Sequence, residues 1–221
     1  MTSSVVHLIR LARWGVTLAR RRALVGIEND PNAPLAVRQF VRLARLATLT
    51  VKNGPRDYAG AFRAIGPAAI KLGQSLATRP DLVGEEAANN LLSLQDSLPP
   101  VPFAEIKAAI ESSFGQPIDK LFSEIDPVPV GAASIAQVHK GVTTEGRKVA
   151  IKVLRPGIRE KFARDITTYE WAAAHVEAMG GEASRLRPRL TIANFKRWTN
   201  SELDLRREAA SASELAEQMA G

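Results

Sequence analysis

Three groups of residues in this 221-residue chain could do chemistry together. Lys152 ends the stretch VAIK (149–152), where strand alternation puts Val149, Ile151 and Val153 on one face and Ala150 and Lys152 on the other. Glu202, Asp204 and Glu208 crowd SELDLRREAA (201–210). Lys71 and Gln74 share a polar helical stripe with Ser75 and Thr78 in KLGQSLATRP (71–80), opposite an apolar stripe of Ala69, Leu72 and Leu76. An ammonium on a strand, held by a carboxylate on a later helix, suits the gripping of nucleotide phosphates. Each group also has a plainer reading, with Lys152 on a solvent-facing strand and the polar stripe in water. Asp204 and Glu208 stand at i, i+4, a like-charge pairing that is unfavourable unless cations answer it. Arg206 and Arg207 could do so locally, and Lys71 and Lys152 are the distant candidates.

VAIK matches the lysine-bearing strand of a protein-kinase small lobe, where the lysine meets the α and β phosphates and a helix glutamate holds it. Such a lobe also needs a phosphate-covering turn before that lysine, normally glycine-rich so that the backbone can approach. Here PVGAASIAQVHKG (129–141) occupies the place and is alanine-rich. Methyl groups in place of glycine stiffen the turn and leave its amides less open to phosphate.

The elements that must position these groups are mostly helical. In residues 5–26, helical spacing gathers Val5, Leu8, Ile9, Ala12, Val16 and Ala19 on one face and Arg10, Arg13, Arg20 and Arg21 on another. The arginines interrupt the stretch too often for a membrane span. Three readings stand: a basic amphipathic helix on an anionic membrane, a helix packed on the body of the protein, or an Arg-rich transit peptide. ENDPNAP (28–34) reads as a turn or linker. Helical patterns follow at 35–52, 56–78, 84–97 and 103–114, the last ended by Gly115, with proline breaks at 98–102 and 126–130. The period then changes to two over 134–156, which predicts two strands around a turn at TTEG. Helix returns at 157–179 and 189–218.

Composition narrows the chemistry further. There is no cysteine, and the three histidines are scattered, so neither a disulfide framework nor a zinc site is expected. The net charge of +7 is unevenly spread. Residues 1–63 hold eleven basic and three acidic residues, a balance of +8 that leaves −1 for the rest. The basic arginines are joined by no aromatic stacking platform, so nucleic acid is not an expected partner.

The order KLGQSLATRPDL, LLSLQDSLPPVP, PVGAASIAQVHKG, VAIKVLRPGI, ELDLRREAASA resembles the UbiB family of atypical, protein-kinase-like proteins of ubiquinone biosynthesis, from about residue 60 onward. The resemblance implies an α+β fold: a helical N-terminal extension (35–126) after a basic amphipathic helix (1–27), then a kinase-like small lobe (127–221). Lys71, Gly73 and Gln74 would be the KxGQ motif, on an added helix folding over the nucleotide cleft. Ala132, Ala133 and Ser134 would lie in the alanine-rich loop, with Gly131 where the family commonly has another alanine. Lys152 would bind ATP phosphates with Glu208 as its partner. Glu202 and Asp204 would be the ExD motif that meets the KxGQ lysine. Implied partners are an anionic membrane surface or lipid and ubiquinone-biosynthesis proteins. The implied place is peripheral, on the cytoplasmic face of an inner membrane, with mitochondrial targeting as the alternative.

Neither an HxD-type catalytic loop nor a DFG sequence occurs in the 221 residues. Kinase-like proteins carry their catalytic aspartate and metal-binding aspartate there. The chain therefore reads as extension plus small lobe, with no catalytic or metal residue of its own. Mg-ATP would lose much of its coordination, and negligible phosphotransfer is expected from this polypeptide alone. A second reading is a non-catalytic, membrane-associated module that binds lipid or partners and carries a vestigial small lobe.

Overall fold

A computed structural model describes residues 2–26, 29, 35–46, 54–95 and 99–219. The linker read at 28–34 falls, apart from Asn29, outside these residues, as do 47–53 and 96–98. The chain divides into two units, Met1–Gln95 with Lys161–Lys196, and Asp96–Glu160 with Arg197–Gly221.

The first unit is helical. Helix α1 spans Thr2–Arg20 and α2 spans Leu35–Leu46. They pack through Ala19, Leu24, Val41 and Ala44. Close approach is set by Gly15, where an added Cβ would stand 2.4 Å from the Phe40 ring. The apolar face of α1 is divided lengthwise as a result. Ala19 is buried, whereas Val5, Leu8 and Ile9 near the other end are each more than half exposed.

Helices α3 (Tyr58–Ile65) and α4 (Pro67–Ala77) replace the single helix expected over 56–78. The break has a local cause. Proline has no N–H for the preceding turn and its ring clashes with the carbonyl four residues back, so Pro67 starts a helix instead of continuing one. Gly66 supplies the joint at φ +134°, a region that side-chain-bearing residues avoid. Asp57 caps α3 by accepting from the Gly60 amide at 2.7 Å. Two short helices, α5 (Pro80–Val83) and α6 (Glu85–Leu92), complete this part. Its core is built of small residues, with Ala59, Ala61, Ala68, Ala69, Ala87 and Ala88 buried around Leu91 and Leu94.

In the second unit α7 (Phe103–Phe114) ends at Gly115 in the left-handed region, as its sequence predicts. Four antiparallel strands follow: β1 (Phe122–Ile125), β2 (Gly131–Ala132), β3 (Ala136–Thr143) and β4 (Lys148–Leu154). The predicted hairpin is β3–β4, registered from Ala136↔Leu154 to Val142↔Lys148, and its turn has Gly146 at φ +84°. β1 and β2 are additions to the expected pair. They lie against β3 at its two ends, with Ile125↔Gly141 and Gly131↔Val138 in register. Ile106 and Ile110 of α7 pack on Val153, with Ile151 beside it, which places the apolar face of β4 inward and Lys152 outward.

Four further helices are α8 (Ile158–Ala178), α9 (Glu182–Arg185), α10 (Pro188–Glu202) and α11 (Leu205–Met219). The single helix expected over 189–218 is interrupted at Leu203 and Asp204. Leu203 turns inward and is buried, which stops the regular spiral at that point. The whole is α+β and mainly helical, with one small antiparallel sheet.

Candidate functional site

Lys152 stands on the outward face of β4, and Glu208 lies in the first turn of α11. The structure joins them. Lys152 Nζ donates to Glu208 Oε2 at 2.6 Å and to Oε1 at 2.7 Å, across 56 residues of sequence. Both side chains remain accessible, 38% and 60% exposed. An ion pair so wet contributes at most about 1 kcal/mol to folding. Its value is positional: it fixes an ammonium where a second anion can reach it.

The alanine-rich turn is separated from this strand in the sheet by β3, which pairs with β2 on one side and β4 on the other. Ala132 belongs to β2, Ala133 is exposed and Ser134 is buried. The turn closes on itself, because the Ala133 N–H donates to the Ala136 carbonyl at 2.8 Å. That amide is engaged within the turn. At Gly131 an added Cβ would meet no atom within 4 Å, so packing does not require glycine there.

Glu202 is the last residue of α10, and Asp204 precedes the first residue of α11. Asp204 and Glu208 therefore do not share one helix, and the expected i, i+4 repulsion is relieved by the break. Asp204 acts at the head of α11, accepting from the Arg206 amide at 3.3 Å and from Arg206 Nε at 3.1 Å. The Arg206 hydrogen bond holds the Asp204 carboxyl below its ordinary pKa. Glu202, Asp204 and Glu208 all line one small cleft of about 260 Å³, with Trp198, Arg207 and Ser211.

Two arginines that sequence reading did not single out hold these segments in place. Arg155 donates from Nε to the Ala133 carbonyl and from Nη2 to the Pro99 carbonyl, both at 2.9 Å. Its own amide donates to the Ile135 carbonyl at 2.9 Å. Arg159, one helical turn further on, donates to the carbonyl of Leu203, the residue between Glu202 and Asp204. VLRPGIR thus supplies one clamp for the alanine-rich turn and one for the acidic turn. Pro156 and Gly157 between them form the tight bend that starts α8, with Gly157 at φ +66°.

Gln137 and His139 form a buried polar ladder under the sheet. Gln137 Oε1 accepts from the Val101 amide at 2.8 Å, and its Nε2 donates to the Val101 carbonyl at 3.3 Å and to His139 Nε2 at 2.9 Å. With Nε2 accepting, the imidazole proton sits on Nδ1, which donates to the Asp126 carbonyl at 2.8 Å. Phe103 packs on the ring, 5.6 Å between centroids.

Lys71, Gly73 and Gln74 belong to the first unit, on α4. Gly73 is a contact glycine: a Cβ would stand 2.4 Å from Leu94 Cδ1 and 2.7 Å from Phe62 Cδ1. Gln74 Nε2 donates to the Leu94 carbonyl at 2.8 Å. Lys71 is half-buried, and Ser75 and Thr78 are exposed. The buried face of α4 runs through Ala69, Ile70, Gly73 and Ala77, with Leu72 and Leu76 only half-buried. The expected stripe is rotated because the small residues let neighbouring helices come closest.

What this geometry offers a nucleotide is a fixed ammonium, a holding carboxylate and a clamped turn. Lys152 fits the phosphates of ATP by charge and exposure. Among the described residues no three acidic or histidine side chains converge as a metal site.

Comparison with known proteins gives a family and two similar proteins. Residues 93–221 match the ABC1 atypical kinase-like domain. The Marinobacter nauticus protein named "Probable protein kinase UbiB" is 41% identical over 155 residues, 70% of this chain. The chain spans 28% of the length of that relative. The solved complex of Rv3197 with erythromycin from Mycobacterium tuberculosis is 26% identical, with a TM-score of 0.43 over 82% of this chain and 44% of that one.

Proposed function

The chain belongs to the ABC1 atypical kinase-like family, and on that premise we propose that its second unit is an ATP-binding small lobe of a UbiB-like protein supporting ubiquinone biosynthesis. The observation that carries the reading is the two-oxygen grip of Glu208 on Lys152. A lysine at the fourth residue of a V-x-I-K strand pattern needs such a carboxylate to be held against phosphates. In this reading Lys152 takes the phosphates, Glu208 orients it, and the turn at Ala132, Ala133 and Ser134 covers the nucleotide while offering few amides. Glu202 and Asp204 border the same small cleft and tune the field near it. When bound, ATP would supply its own phosphate charge and any accompanying magnesium. This chain's residues bind and orient, and the transfer chemistry falls to groups outside them.

Titration of ATP, with and without magnesium, against the purified chain and its Lys152→Ala variant tests the reading by thermal shift. Saturable stabilisation of the wild type that the variant loses supports it. Equal shifts in both, or none in either with a cooperative melt, would sink it.

A second reading, a membrane-associated module, is favoured by one observation. Val5, Leu8 and Ile9 of α1 and Leu35, Leu43 and Leu46 of α2 are exposed while Arg13, Arg20 and Arg42 lie on the same helices. Apolar and cationic side chains presented together suit the interface of an anionic bilayer. Among the described residues no helix is long and apolar enough to cross a membrane. Cosedimentation with vesicles containing phosphatidylglycerol should fall on Leu8→Ser with Leu43→Ser; unchanged cosedimentation would dismiss it.

A further inference from the structure

One cleft of the first unit has none of Lys152, Glu208, Lys71 or Gln74 in its lining. It has a volume of about 570 Å³ and lies between α1, the α3–α4 joint and residues 161–165 of α8. That size is within the range of small-molecule sites. Its cations are Arg10, Arg13, Lys161 and Arg164, against a single acid, Asp165. Its apolar wall includes Ile9, Trp14 and Ile65.

The cations divide into two kinds. Arg10 is committed to the protein: its Nη1 donates to the Arg164 carbonyl at 2.8 Å and to Thr168 Oγ1 at 2.6 Å. Arg164 Nε stands 3.7 Å from Asp165 Oδ1. Arg13 and Lys161, by contrast, make no side-chain hydrogen bond or ion pair among the described residues. A committed pair thus shapes the cleft and offsets its buried acid, and an uncommitted pair is left to meet a ligand. Trp14 is held in position by Tyr169, 5.2 Å between ring centroids, and Tyr169 packs in turn on Phe195. The aromatic wall is therefore fixed in place and does not depend on a ligand to order it.

We infer that this cleft binds a phosphate monoester carrying an apolar chain or ring. Four cations against one acid leave an excess that a monocarboxylate would not match, whereas a phosphate monoester brings about −1.5 to −2 at neutral pH. Guanidinium and ammonium groups make strong charge-assisted hydrogen bonds to phosphate oxygens. The apolar wall then takes the remainder of the ligand, which an inorganic ion would leave wet. The same chemistry is presented by a free amphiphile and by a phosphatidic acid headgroup.

Calorimetric titration of the whole chain with octyl phosphate, below its micellar concentration, tests the inference, with inorganic phosphate, octanol and vesicles of phosphatidylcholine with phosphatidic acid run alongside. The expected result is one octyl phosphate per chain, bound at least about tenfold more tightly than inorganic phosphate or octanol. Arg13→Gln with Lys161→Gln should weaken it about tenfold or more without altering the melt, since neither side chain is spent on the fold. Ile9→Ser should weaken octyl phosphate and leave inorganic phosphate unchanged. Vesicle binding that octyl phosphate competes away assigns the membrane lipid as a source; octyl phosphate binding without vesicle binding assigns the free amphiphile. Inorganic phosphate binding as tightly as octyl phosphate, vesicle binding alone, or indifference to the double variant would each overturn the inference.

Discussion

The Arg159 side chain donates to the carbonyl of Leu203, the one residue between Glu202 and Asp204. This makes the acidic turn a consequence of the start of α8. Arg159→Ala should free that carbonyl and loosen the α10–α11 junction, at a cost of about 1 kcal/mol. Hydrogen exchange at the Asp204 and Leu205 amides should quicken while the β3–β4 amides keep their protection. Unchanged exchange at those amides would show that the junction holds without the clamp.

Gly73 is fixed by space, because its added Cβ would meet Leu94 at 2.4 Å and Phe62 at 2.7 Å. Gly73→Ala is expected to destabilise the first unit by about 1–3 kcal/mol through overpacking, despite the better helix propensity of alanine. Urea unfolding gives the comparison. A stabilised variant would mean that Leu94 and Phe62 can move aside freely.

Gln137 satisfies both backbone groups of Val101 and one nitrogen of His139. Gln137→Leu keeps much of the volume and leaves those groups unpaired. A loss of at least about 2 kcal/mol is expected, since each buried unpaired group costs on the order of 1–3 kcal/mol. His139→Phe on top of it should cost less than when made alone, because the two side chains act as one network. Additive losses would separate them.

Asp165 is buried, and burial raises its pKa above 3.8 despite the opposing charges of Arg164 and Arg10. A raised folded value stabilises the protein at pH below 3.8 and loses that contribution as pH rises through the folded value. Asp165→Asn should therefore gain stability relative to wild type on going from acid to neutral pH. Chemical unfolding of both proteins across that range gives the sign, and a gain that shrinks with rising pH would refute the assignment.

Much of this architecture is legible in the residues. The change of period at 134 marks the hairpin, Gly146 marks its turn, and alternation in VAIKV places Lys152 outward, as found. Gly115 marks the end of α7. The Gly66–Pro67 break is also written in the sequence, but continuous apolar spacing on both sides masks it. β1 and β2 are harder to read. They are four and two residues long, and are strands because β3 presents an edge for them to pair with. The clamps of Arg155 and Arg159 leave no signature, because their acceptors are backbone carbonyls, which every residue carries. The pairing of Lys152 with Glu208 depends on a contact across 56 residues: charge alone makes Lys152 one of several candidate partners, and the resemblance to a known family singles out Glu208.

None of the residues of α11 is buried, and Leu215 and Met219 stand open to water. A 15-residue helix is only marginally stable by itself. The Lys152–Glu208 pair, the capping contacts of Asp204 and the anchored Leu203 are therefore a mooring at one end of an element that otherwise opens as its own cooperative segment. Raising the ionic strength weakens the wet ion pair first. Salt would thus act as a selective solvent for this helix, releasing the carboxylate from the lysine while the sheet beneath remains intact.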